Sequence, residues 1–171
     1  EQVDSARLVQ AGLFPRHPLE MGPYRATGRC ESATELGGDY FDYLPMSDGR
    51  LLAVVGDVTG HGIAAALVVS MAKAVLSDVS RSGADPQVLL QKLNAVLCES
   101  LNQRRLMTMA LAILDPRTHQ GQFFNCGHPY PVILHRNGTF TFIGEPGRVL
   151  GRRLKELPRS TDFSLAPGER L

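Results

Sequence analysis

The stretch DYFDYLPMSDGRLLAVVGD, Asp39 to Asp57, holds a turn between two apolar runs, and its register decides the fold. Ser47-Asp48-Gly49 reads as the hairpin turn. A three-residue loop there pairs Met46 with Arg50 and sets Phe41 opposite Val55 and Asp39 opposite Asp57. A two-residue turn shifts the register by one and still leaves the two carboxylates neighbours. Like charges directly across an antiparallel pair repel. Phe41, Val54 and Val55 around them add partial desolvation, which raises the cost of keeping both ionised. A hard divalent ion such as Mg²⁺ or Mn²⁺, which prefers carboxylates, carbonyls and water, resolves the conflict.

The residues around the pair extend the argument. Gly37 and Gly38 precede the first aspartate, and Gly56, Gly60 and Gly62 surround the second, where backbone must turn tightly or approach a ligand. The helix expected from Gly62 to Ser80 points its N-terminus, with free N–H groups and a positive dipole end, toward the same place. Metal plus anion indicates phosphate chemistry. Taken singly, the glycines are ordinary loop residues and Asp57 a helix cap; the register is what joins them into a site. His61 is a candidate acid for a leaving serine oxygen. His128 reads as a turn residue bonded to backbone, Arg29 as a candidate phosphate contact, and Asp42, on the face opposite Asp39, as structural. Neither GxGxxG nor GxxxxGK[ST] is present, which argues against a nucleotide-binding protein built on Gly56 to Gly62.

Further out, Asp4 to Leu13 has Leu8, Val9 and Leu13 at helical spacing, with Asp4 or Ser5 as cap, and stops before Pro15. It is either a connector from an upstream domain or a terminal helix, and its apolar stripe offers a surface for pairing with a second copy. Tyr24 to Met46 reads as extended and Leu51 to Val55 as a buried strand. The helix after Gly62 carries a stripe of Ile63, Leu67, Met71 and Val75. Asp85-Pro86 caps a second helix burying Leu89, Leu93, Val96 and Leu97. Five strands follow, over 107–114, 120–125, 131–135, 139–143 and 160–165, each bounded by turn residues. The class is α+β with a largely antiparallel sheet covered by helices. Met71, Met107 and Met109 are core filler.

At 171 residues the chain is one domain, with residues 1–18 as linker helix and connector and 19–171 as the folded unit. The 18 Lys and Arg against 17 Asp and Glu leave a formal charge of +1, not the footprint of a nucleic-acid binder. The longest uninterrupted apolar run, Ile63 to Val69, falls short of the ~20 residues of a membrane span. Cys30, Cys98 and Cys126 form no CxxC pair and read as reduced thiols, which with the absence of a signal-peptide pattern favours a cytoplasmic location.

Read together, Glu35-Leu36-Gly37-Gly38-Asp39-Tyr40-Phe41-Asp42-Tyr43, Asp48-Gly49 and Gly56-Asp57-Val58-Thr59-Gly60-His61-Gly62-Ile63-Ala64-Ala65-Ala66-Leu67 resemble the PPM-type metal-dependent protein serine/threonine phosphatases, in their bacterial SpoIIE/RsbU-like branch. Arg7-Leu8-Val9-Gln10 with Leu13-Phe14-Pro15 is similar to that branch's linker helix, and Asn125-Cys126-Gly127-His128-Pro129 to its Asn-Ala-Gly-His-x-Pro segment. The resemblance implies a β-sandwich with flanking helices in α-β-β-α layers and two Mn²⁺ or Mg²⁺ ions at one edge. Asp57 would bridge both ions, the Val58 carbonyl would bind one, and Asp39 would act mainly through water. It implies hydrolysis of phosphoserine or phosphothreonine on a protein, often a STAS-type anti-anti-sigma factor, under an upstream sensor domain acting through the linker helix. The family's Thr-Asp-Gly strand and later Asp-Asp pair, which supply further ligands, have no counterpart here. Thr161-Asp162 precedes Pro167-Gly168 and occupies the wrong place, so the C-terminal part is expected to be missing by truncation. A rival reading is a phosphatase-like module that binds a phosphoprotein without turnover.

Overall fold

The computed structural model describes residues 2–31, 36–101 and 105–171. Glu35 of the motif lies outside what it describes, and the first helix already begins at Gln2, so that Asp4 and Ser5 lie within it and not at its cap as expected. Helix α1 (Gln2–Ala11) leads to a short hairpin, β1 (Leu19–Met21) with β2 (Tyr24–Ala26), and then to β3 (Asp39–Pro45) and β4 (Leu51–Val58). Helices α2 (Ile63–Ser82) and α3 (Pro86–Leu101) follow, then β5 (Met107–Asp115), β6 (Gln120–Cys126), β7 (Val132–Leu134), β8 (Phe140–Phe142) and β9 (Ser160–Ser164).

The central hairpin forms in the register its turn dictates. Asp39 faces Asp57, Phe41 faces Val55, and the Met46 N–H bonds the Arg50 carbonyl at 2.8 Å across the Ser47–Gly49 loop. Strands β3, β4, β5, β6 and β9 make one antiparallel sheet in that order. The expected extended run from Tyr24 is two separate strands, β2 and β3. The strand expected to end at Val55 continues to Val58, because Gly56, Asp57 and Val58 go on pairing with Met109, Thr108 and Met107. Asp57 is therefore a strand residue and not a helix cap.

Both helices cover one face of this sheet, where Tyr40, Leu52, Val54, Met107, Met109 and Leu111 meet Leu76, Leu89, Leu90, Leu93 and Leu97. Each fully buried leucine contributes roughly 1.5–3 kcal/mol of transfer free energy. The Asp85 carboxylate caps α3 by accepting the Gln87 N–H at 2.7 Å. Val96 is only half-buried. On the other face a smaller core of Ala112, Leu114, Phe123, Ile133, Phe163 and Leu165 joins the sheet to β7, with Tyr24 and Ile143 packed against it. The described residues thus hold a helix layer, the large sheet, and short β7–β8 and β1–β2 ribbons on the far side.

The stripe expected to face inward on α2 is turned the other way. Ile63 is 49% and Leu67 60% exposed, Met71 and Val75 are half-buried, and the sheet is met by Ala65, Val68, Val69, Ala72, Leu76 and Val79. Small alanines let the helix approach closely. At 20 residues with mean hydropathy 1.7, α2 is long and apolar enough to cross a membrane by composition. In this fold it lies against the sheet, and its Lys73 ammonium pairs with the buried Asp42 carboxylate of β3.

Candidate active site at the end of the central hairpin

Asp39 and Asp57 stand side by side where β3 begins and β4 nears its end, on the face away from the helices. Phe41 and Val55 share that face. Val54, expected beside them, is 3% exposed in the core on the other side, because successive strand residues alternate. Partial burial, and then the neighbouring Asp39 charge, push the Asp57 carboxyl above its usual range, against the opposing pull of His128 and the Val58 N–H. The apposition read from the turn is thus felt as charge repulsion.

The local backbone explains the glycines. A side-chain carbon at Gly38 would come within 2.5 Å of the Val58 carbonyl oxygen, so only glycine admits this approach. The Val58 N–H in turn bonds the Gly38 carbonyl at 3.1 Å. After Val58 the chain turns through Gly60 and Gly62, at φ 88° and 78°, and enters α2. The Gly62 N–H bonds the Leu36 carbonyl at 3.1 Å, tying this loop to the one ahead of Asp39. Gly56 lies within β4, and Gly37 is held from α1. There the buried Gln10 amide donates to the Gly37 carbonyl at 2.8 Å and accepts the Gly37 N–H at 3.3 Å. Helix α1 presents Leu8 and Val9 to solvent, 76% and 66% exposed, and the residue it buries is this glutamine.

His128 belongs to the site, a placement sequence reading missed. Its own N–H bonds the Asn125 side chain at 2.9 Å, as a turn residue's would. Its Nδ1, however, lies 2.9 Å from Thr108 Oγ1, and Thr108 is the partner of Asp57 in β5. Burial lowers the imidazole pKa, while Asp57 and Asp39 pull it the other way. The Asn-Cys-Gly-His-Pro segment was the available signal, but its distance in sequence concealed the contact. His61 is exposed between Gly60 and Gly62. The Arg29 guanidinium pairs with Glu31, both well exposed, and has no contact with the aspartates. Asp42 is structural: 3% exposed, it accepts the Tyr40 hydroxyl at 2.7 Å and the Tyr43 N–H at 2.9 Å as well as Lys73. Asp162 pairs with Gln122, and the ladder places it level with Leu52, five residues from Asp57, or roughly 17 Å along the strands.

These donors suit a hard divalent cation in kind. Two apposed carboxylates and a carbonyl facing a glycine offer only oxygen, and the raised Asp57 carboxyl has charge to neutralise. In number they are a partial set, since among the described residues no group of three or more His, Cys, Asp or Glu side chains could hold an ion.

The family description Stage II sporulation protein E (SpoIIE) matches residues 47–171. The phosphoserine phosphatase RsbU of Bacillus subtilis is 30% identical over 120 residues, which cover 70% of this chain and 36% of that protein. A crystal structure of the RsbU and RsbW domains of Rv1364c from Mycobacterium tuberculosis superimposes with a TM-score of 0.70 at 28% identity, over 81% of this chain and 38% of the other. The SiaA-PP2C domain of Pseudomonas aeruginosa, 21% identical, has the same fold, with a TM-score of 0.73 over 98% of this chain and 68% of its own. The chain spans about a third of the length of the curated relatives it matches, 31% to 36%.

Proposed function

The chain belongs to the SpoIIE family, and from that premise we propose that it contributes the paired-aspartate site of a metal-dependent protein phosphatase acting on phosphoserine or phosphothreonine. The observation that carries the reading is the direct apposition of Asp39 and Asp57 at a glycine-built sheet edge. Asp39, Asp57 and the Val58 carbonyl would supply part of the ligand set for two Mn²⁺ or Mg²⁺ ions. Such ions, when bound, supply Lewis-acid stabilisation and orientation for in-line attack on phosphorus. The protein's own part is to set Asp57 opposite Asp39, to leave the Gly38 approach open, and to hold His128 beside Thr108. His61, exposed on the adjoining loop, is the candidate proton donor to the leaving serine oxygen.

The substrate class proposed is a STAS-type anti-anti-sigma factor in bacterial stress or sigma-factor signalling, because RsbU and the RsbU–RsbW protein are relatives. An upstream sensor domain would act through α1, whose exposed Leu8 and Val9 also suit a homodimer, and the location would be cytoplasmic. The test is manganese-dependent release of phosphate from a phosphoserine protein by the intact natural protein. Activity should vanish in Asp57→Ala, and unchanged activity there refutes the assignment. The partial donor set favours a second reading, a module that binds a phosphoprotein without turnover. That reading requires binding that persists under chelation.

A further inference from the structure

Residues 148–159 hold Arg148, Arg152, Arg153, Lys155 and Arg159 against one acid, Glu156, on a chain whose formal charge is only +1. The remainder is therefore net acidic, and this segment is a local concentration of positive charge. All five basic side chains are exposed. Among the described residues, no carboxylate lies within ion-pair distance of Arg148, Arg152, Arg153 or Lys155, and Arg159 reaches Glu156 only at 3.9 Å. Arg153 shares the surroundings of Cys98 with Glu99.

The backbone beneath these cations is fixed. Leu150 is fully buried and exchanges two hydrogen bonds with Met107, at 3.1 and 2.9 Å. The Asn94 side chain accepts the Gly151 N–H at 2.9 Å and donates to the Arg152 carbonyl at 3.0 Å. The same segment borders the site. A side chain at Gly151 would meet the Arg105 carbonyl at 2.8 Å, and the Arg105 guanidinium donates to the Thr59 carbonyl at 2.8 Å, in the loop after Asp57 and Val58. Val149 lies against Gly127, next to His128.

We propose that this strip is a docking rim for an acidic surface flanking the phosphorylated residue of the protein substrate; the inference rests on the phosphatase reading. Cations on an anchored backbone, four of the five with no ion pair to give up and the fifth with only a long one, lose little on meeting carboxylates. Arginine forks match carboxylate and phosphate geometry. Complementary charge also speeds encounter and selects partners, with a steep dependence on salt.

Fluorescence anisotropy with synthetic peptides tests this without requiring turnover. A labelled phosphoserine peptide flanked by glutamates should bind about tenfold more tightly than the same peptide flanked by alanines, and added salt should erase the difference. The triple substitution Arg152→Glu, Arg153→Glu, Lys155→Glu should abolish the preference; Arg152→Gln, Arg153→Gln, Lys155→Gln should reduce it while keeping the wild-type melting profile. Equal binding of both peptides by the unaltered protein overturns the proposal. So does a preference undiminished in the triple glutamine variant, or tighter strip-dependent binding of a single-stranded oligonucleotide. A strip-dependent preference in an intact protein that releases no phosphate would refute the phosphatase reading and leave the docking rim standing.

Discussion

Lys73→Met isolates the ion pair that joins α2 to the strand carrying Asp39. The Lys73 ammonium is about a quarter exposed, while the Asp42 carboxylate beneath it is 2% exposed. Removing one partner of a buried pair leaves an uncompensated charge, at a cost of about 3–5 kcal/mol. Two features bring the expectation to the lower end. Asp42 keeps the Tyr40 hydroxyl and the Tyr43 N–H as donors, and solvent partly screens the lysine. The expected loss is therefore about 2–3 kcal/mol, a large part of a typical domain's stability. It corresponds to a fall of roughly 5–10 °C in Tm for a chain of this length. Denaturant melts of Lys73→Met, Asp42→Asn and the double variant form the cycle. In the double variant an asparagine oxygen can accept the Tyr43 N–H and its NH₂ can donate to the Tyr40 oxygen, so that only the Tyr40 hydroxyl proton gives up its acceptor. The double variant should be more stable than Lys73→Met alone, because it leaves no buried charge unpaired. A single variant that melts within about 0.5 kcal/mol of the parent, as surface substitutions do, would refute the claim that this carboxylate depends on Lys73.

Asp57→Asn should stabilise the chain in chelator by up to about 1 kcal/mol, since it ends a like-charge pair across the strands. The Asp57 carboxyl is raised in the folded state, so its penalty is present above that raised value and is relieved as pH falls through it. The advantage of Asp57→Asn in urea melts should accordingly shrink toward acid pH. Gly38→Ala must move the Val58 peptide aside and should cost about 1–3 kcal/mol, read as a lower Tm. Gln10→Ala strands both polar groups of Gly37 and should speed amide exchange there, with a loss of about 1–3 kcal/mol where water cannot replace the amide. Unchanged exchange at Gly37 would show that α1 does not hold the loop.

Local rules made the hairpin legible. Ser47-Asp48-Gly49 sets the loop length, strand alternation does the rest, and Asp39 meets Asp57 without any long-range information. The caps and turns around α3 and the later strands follow for the same reason. The buried face of α2 was not legible, because a helix so rich in Ala, Val, Leu and Ile is apolar on most of its circumference. Larger side chains suggested one stripe, while close packing selected the alanines. The places of His128 and Gln10 were hidden by distance along the chain. His128 reaches Thr108 across 20 residues, through the bridge that sets Gly127 beside Met109, and Gln10 reaches Gly37 across 27. The end of β4 was misread because Gly56 resembles a strand terminator, although its pairing with Met109 continues the ladder.

The clasp of Gln10 on Gly37 makes the geometry of the aspartate pair sensitive to tension from outside the sheet. Asp57 is fixed from both sides by β3 and β5, but Asp39 is the first residue of an edge strand, and the chain ahead of it is held at Gly38 by Val58, at Gly37 by Gln10 and at Leu36 by Gly62. Of these three moorings, only the one at Gly37 is attached to α1. Hydrogen bonds of 2.8 and 3.3 Å have little slack, so a pull that shifts α1 by an ångström must either drag the Gly37 peptide along or release it. One carboxylate of the pair is thus built into bedrock and the other stands at the end of a short leash, and the spacing between them registers how firmly α1 is seated.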